Sequence, residues 1–117
     1  VTVEELMHAN LLEVFAERDP ARRRAAVERL YSPDVTFADP EETVVGHRAL
    51  DEKAQRLLDA SPGFAFSPDG PVRVVQDLGL LAWRFGPEGG EPVVRGTDIA
   101  LVREGRITAV YTVLAAD

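Results

Sequence analysis

The chain has 117 residues, 45% of them hydrophobic and 28% charged, and no cysteine. That is enough for one domain with a real core and too little for two, and it excludes disulfides, thiolate metal sites and cysteine nucleophiles. A formal net charge of −7 argues against nucleic acid or an anionic membrane as partner, because both are bound through clustered cations.

In chain order, Thr2 followed by Glu5 makes a capping box, and Val3, Leu6, Met7, Asn10, Leu11, Val14 and Phe15 recur at helical spacing. The spacing predicts an amphipathic helix ending near Arg18. Acidic residues break its apolar pattern and no basic leader precedes it, so it does not read as a signal peptide, and no apolar run approaches the roughly 20 residues of a membrane span. The expectation is a cytoplasmic protein. Asp19-Pro20 pairs an N-cap with proline at the first helical position and starts a second helix carrying Ala26, Val27 and Leu30, with Tyr31 at its end. The basic cluster Arg22, Arg23 and Arg24 reads as the solvated face of that helix.

Ser32-Pro33 then breaks the helix, and the β-branched and aromatic run 35–37 reads as a strand. Val44 and Val45 form a second short extended piece. Gly46 turns the chain into a third helix with Leu50, Ala54, Leu57 and Leu58 on one side, stopped by Ser61-Pro62-Gly63. From residue 64 onward, strand-like runs alternate with turn chemistry, and Glu104-Gly105 between two β-rich segments signals a tight hairpin. Helices followed by an antiparallel meander predict an α+β domain, residues 1–117, with helices on one face of a curved, mostly antiparallel sheet and a cavity between the layers.

Two carboxylates stand out. Asp39, in "FADP", follows the first strand and precedes a proline; it is either an Asx-turn residue or a base at the end of a strand. Strand alternation puts Asp98 on one face with Val94, Gly96, Ala100 and Val102, a small apolar surface on which an aspartate needs a partner or a proton. The alternative for Asp98 is a structural carboxylate paired with an arginine. Trp83, alternating with Leu81 and Phe85, reads as core or pocket wall. His8 and His47 read as surface or capping residues, and with two histidines and no cysteine no metal is expected.

The element order, the "DP" after the first strand, "VVGHRAL" at the third helix and "GTD…REGRI" in the last hairpin resemble the NTF2-like superfamily, in particular SnoaL-like polyketide cyclases and ketosteroid isomerases. The resemblance implies a cone-shaped α+β fold with an apolar pocket lined by Leu11, Phe15, Phe37, Trp83 and Tyr111. It implies Asp39 as general base and Asp98 as a protonated donor or acid/base, with proton transfer next to a carbonyl, no cofactor, an apolar small molecule as partner and a homodimer formed through the sheet. The dimer would bury Arg95, Ile99, Leu101 and the Tyr111 region. One departure from ketosteroid isomerases is plain: where they carry a donor tyrosine on the first helix, this chain has Leu11 with Asn10 beside it. Tyr31 or Tyr111 are the candidates to replace it. A non-catalytic module that binds an apolar ligand or dimerises is the other function the sequence allows.

Overall fold

The computed structural model describes residues 1–115; Ala116 and Asp117, the end of the expected domain, lie outside the described residues. Helix α1 (Val3–Ala9) opens with the capping box: the Glu5 backbone N–H donates to Thr2 Oγ1 at 3.1 Å and the Thr2 N–H to Glu5 Oε1 at 3.2 Å. The helix does not run on regularly. From Asn10 it widens into a π-helical segment, Asn10–Phe15, in which the Ala16 N–H reaches back five residues to the Leu11 carbonyl. Such turns are rare and concentrate at functional sites. Asn10, Leu11, Val14 and Phe15 are all buried in this segment.

Asp19 caps α2 (Pro20–Leu30) by accepting from the Arg22 N–H, with Pro20 in the first turn. The basic cluster divides. Arg22 and Arg24 are exposed, but Arg23 is fully buried between α2 and α3 (His47–Asp59), paired with Asp51 at 2.7 Å and bonded to Gln55 and the Glu17 carbonyl. Its charge is compensated, as burial requires.

The sheet runs β2-β1-β7-β6-β5-β3, with β4 also paired to β5. Its strands are β1 (Tyr31–Ala38), β2 (Thr43–Val45), β3 (Phe64–Pro68), β4 (Arg73–Val75), β5 (Leu78–Pro87), β6 (Val94–Arg103) and β7 (Arg106–Leu114). All pairs are antiparallel except β1 with β7. Tyr31 is therefore not the end of a helix but the first residue of β1, and Pro33 sits inside that strand. It is tolerated because the β1–β7 ladder is interrupted between Tyr31 and Thr36, where a missing N–H costs nothing. Glu104 and Gly105, both with positive φ, make the two-residue turn between β6 and β7.

The helical layer and the sheet share one core that includes Leu6, Met7, Val27, Leu50, Leu81 and Val110. Among the described residues the opposite face of the sheet carries no helix, and it presents Tyr111 and Val113, 46% and 55% exposed. Among the described residues no helix is long and apolar enough to cross a membrane.

Candidate active site

A pocket of about 510 Å³ opens between the π-helical segment, the end of α3 and the inner face of the sheet. Leu11, Phe15, Phe37 and Trp83 line it with Phe66 and Phe85, and both singled-out carboxylates, Asp39 and Asp98, are in its wall. The aromatic rings pack on one another, Phe15 against Phe37 at 5.1 Å and Phe66 against Phe85 at 4.1 Å between centroids. Stacked neighbours hold each ring in place, so the wall is stiff.

Asp98 lies at the buried end of the pocket, 5% exposed. Its Oδ1 accepts from Trp83 Nε1 at 2.9 Å and Thr112 Oγ1 at 2.8 Å, and its Oδ2 from Asn10 Nδ2 at 3.1 Å. Gly96 makes the Trp83 contact possible, since a Cβ there would come within 2.4 Å of the indole ring. Arg95 and Arg84 stay away: Arg95 faces Asp69 at 3.8 Å and Arg84 reaches the Pro68 carbonyl. Burial pushes the Asp98 carboxyl above its ordinary value, against the pull of Thr112, Trp83 and Asn10.

Behind Asn10 stands Tyr31, fully buried, whose hydroxyl donates to Asn10 Oδ1. Burial and then the Asp98 charge hold the Tyr31 phenol well above its usual range, so it keeps its proton. A donating Tyr31 fixes which end of the Asn10 amide faces Asp98: the NH₂ end.

Asp39 sits nearer the mouth, in the loop 39–42. Its Oδ1 accepts the backbone N–H groups of Glu41 and Glu42, each at 3.0 Å, as an Asx turn does. Its Oδ2 meets Lys53 Nζ at 3.0 Å. Lys53, the only lysine, is 1% exposed and also contacts Glu41 at 3.2 Å and Glu42 at 3.0 Å. Partial burial raises the Asp39 carboxyl, but Lys53 and the two N–H groups outweigh it and the net direction is downward. Lys53 moves the opposite way, burial lowering it and its three carboxylates raising it further.

Tyr111 does not line the pocket. On β7 it pairs with Ile99 on the outer face, while Thr112, paired with Asp98, turns inward. A one-residue step along a strand exchanges faces, and Thr112 therefore takes the place expected of Tyr111.

The sequence profile of SnoaL-like domains matches residues 9–110. The chain belongs to the SnoaL-like domain family. Among solved structures, this SnoaL-like domain is similar to a candidate isomerase of the SnoaL-like family from Agrobacterium tumefaciens str. C58, with 24% identity, TM-score 0.89 and 96% of each chain covered. It is also similar to a candidate polyketide cyclase from Sinorhizobium meliloti, with 16% identity and TM-score 0.73 over 92% of this chain and 93% of that one. A candidate ketosteroid isomerase from Kribbella flavida DSM 17836 matches with 15% identity and TM-score 0.74, over 97% of this chain and 78% of that one. At such identities the likeness is one of fold. No curated protein matches the chain.

Three residues of the SnoaL-like site were not predicted for it. Asn10 fell on the apolar stripe of the first helix and beside Leu11 but was given no role of its own, and neither Thr112 nor Lys53 was given one. A lone lysine four residues before Leu57, in a chain that otherwise uses arginine, was the available signal for the last. Among the described residues, no group of three or more His, Asp or Glu is arranged to hold a metal.

Proposed function

We propose that this SnoaL-like domain moves a proton at the carbon next to a carbonyl of an apolar compound, as an isomerase or cyclase would, with Asp98 as the acid/base. The observation that carries this reading is the setting of Asp98: buried at the end of an apolar pocket, held by three neutral donors and no cation. A cation would fix the carboxylate in its charged form. Neutral donors working against burial leave it able to take a proton and give it back.

In the forward step the Asp98 carboxylate takes the α-proton, leaving an enolate and a neutral acid. Where the substrate carries a C=C next to the α-carbon, the enolate is a dienolate and the same proton returns to its γ-carbon, which moves the double bond; otherwise it returns to the alkoxide formed when the enolate carbon adds to a second carbonyl. No cofactor enters either balance. Asp39 takes a different part from the one the resemblance implied. Tied to Lys53 and two backbone N–H groups, it is a weak base and serves as a fixed anion of the pocket wall.

The binding-only reading has one observation in its favour. The donors around Asp98 are all committed to it, so none of them is free for the enolate oxygen. Deuterium exchange at the α-carbon of apolar ketones, followed by NMR in D₂O, separates the two. Exchange by the wild-type chain that falls by about 10²-fold or more in Asp98→Asn is expected; a wild-type chain that leaves the ketones unexchanged sinks the enzyme reading. We also propose that the uncovered sheet face pairs two copies through Ile99, Leu101 and Tyr111. Sedimentation should then show a dimer that Tyr111→Glu dissociates, and a wild-type monomer would refute it.

A further inference from the structure

The charge of the pocket is one-sided. Among the described residues, its ionisable wall residues are Asp39, Glu41 and Asp98, and no lysine, arginine or histidine lines it. Pro40, Glu41, Ala60 and Leu114 are the exposed members of the wall and so mark its mouth, whereas Asp98 is buried. Three cations are bonded to the wall residues or to the segments that carry them. Lys53, beneath the loop 39–42, is shared among Asp39, Glu41 and Glu42. Arg56 pairs with Glu42 at 2.9 Å. Arg18 donates to the backbone carbonyls of Leu58, Phe64 and the wall residue Ser61. Around the mouth loop, two cations thus face three carboxylates, in a chain of net charge −7.

Apart from Ser61 and Thr112 the rest of the wall is aromatic and aliphatic, so the negative charge left over after the Lys53 pairing is focused into the cavity. An anionic ligand entering it would shed its water and find no cation to replace it. A neutral ligand meets no such barrier, and an ammonium group would find carboxylates at the mouth and ring faces in the wall.

We propose that the pocket selects by charge: it takes neutral or cationic carbonyl compounds and rejects those bearing a carboxylate or phosphate, with Glu41 setting the rule at the mouth. Keto acids and phosphate-linked carriers are thereby excluded as substrates. The inference rests on reading this cavity as the substrate site.

Three probes of one shape test it at pH 7: naphthyl methyl ketone, naphthoate and naphthylmethylammonium. Binding is followed through the indole N–H resonance of Trp83, the only tryptophan and a wall residue. The ketone and the ammonium should bind, and naphthoate at least about tenfold more weakly than the ketone. Glu41→Lys, a change at an exposed position, should narrow that gap at least about threefold. Naphthoate binding as tightly as the ketone, or a gap indifferent to Glu41→Lys, overturns the filter. If no probe shifts the resonance, the cavity reading falls and the filter with it. If the probes bind in the expected order but α-exchange is absent, the proposed reaction fails and the charge rule stands.

Discussion

The pocket holds two aspartates whose surroundings are opposites. Asp98 is enclosed by an indole, a hydroxyl and an amide, all neutral; Asp39 is held by an ammonium and two backbone N–H groups. The same side chain is pushed up at one end of the cavity and down at the other. The difference teaches that membership of a pocket does not assign a role. What matters is whether the partner of a carboxylate is a charge, which commits it, or a dipole, which does not.

The comparison is broken most decisively by kinetics. If the two aspartates differ as argued, Asp39→Asn should cost less than about tenfold in α-proton exchange against about 10² to 10⁴ for Asp98→Asn. Equal losses would return Asp39 to the role of base.

Stability offers the next contrast. Lys53→Met leaves Asp39, Glu41 and Glu42 facing one another without their shared cation and should cost about 3 kcal/mol in urea unfolding. Asp98→Asn removes a carboxylate that burial penalises, so at neutral pH it should change stability by no more than about 1 kcal/mol, in either direction. A large loss there would mean that the charge of Asp98 holds the fold together.

The two groups also respond to pH with opposite signs. Asp39, lowered in the folded state, contributes stability that is complete above its unfolded value of about 3.9 and disappears as pH falls through its folded one. Asp98, raised in the folded state, favours folding below its unfolded value and loses that contribution as pH rises through its folded one. Acid unfolding of Asp39→Asn should therefore lack part of the wild-type slope below about pH 4, while Asp98→Asn keeps it. Exchange activity should fall as pH drops through the raised Asp98 value, since only the carboxylate can take a proton.

The smallest effect is the most discriminating. Tyr31→Phe touches neither aspartate, yet it frees the Asn10 amide to turn. The measured Asp98 titration should move up by about half a pH unit, a fraction of one hydrogen bond, with that of Asp39 unmoved. An unmoved Asp98 would reduce Tyr31 to a packing residue.

How far all this could be read from the chain depended on the range over which each feature is determined. The Thr2/Glu5 cap and the Asp19-Pro20 helix start are local and were legible. So was the inward face of β6, because alternation over ten residues, 94–103, leaves little room for error. The face of Tyr111 was not, because β7 carries a register shift opposite Leu101 and Val102, and parity past a bulge cannot be counted from one end. Asn10 fell on the apolar stripe of the first helix, but its partner Asp98 lies 88 residues away and no local spacing announces it. Lys53 was hidden by distance, its partners lying 11 to 14 residues away across a strand and a turn. The site's polar contacts are mostly of this long-range kind, which is why the fold was more legible than the chemistry.

The π-helical segment has a consequence for how such a domain can vary. Elsewhere in the site a role is written in the kind of residue present; here it is written in the number of residues. Deleting one residue between 10 and 15 would restore an ordinary helix, yet turn the residues on its N-terminal side by about 100° relative to those on its C-terminal side. Either Leu6, Met7 and Asn10 would turn away together from the core and from Asp98, or Val14 and Phe15 would turn away from their places in the core and the pocket, and no single substitution could return both. A homologue one residue shorter in this helix would thus have to complete the pocket with different residues.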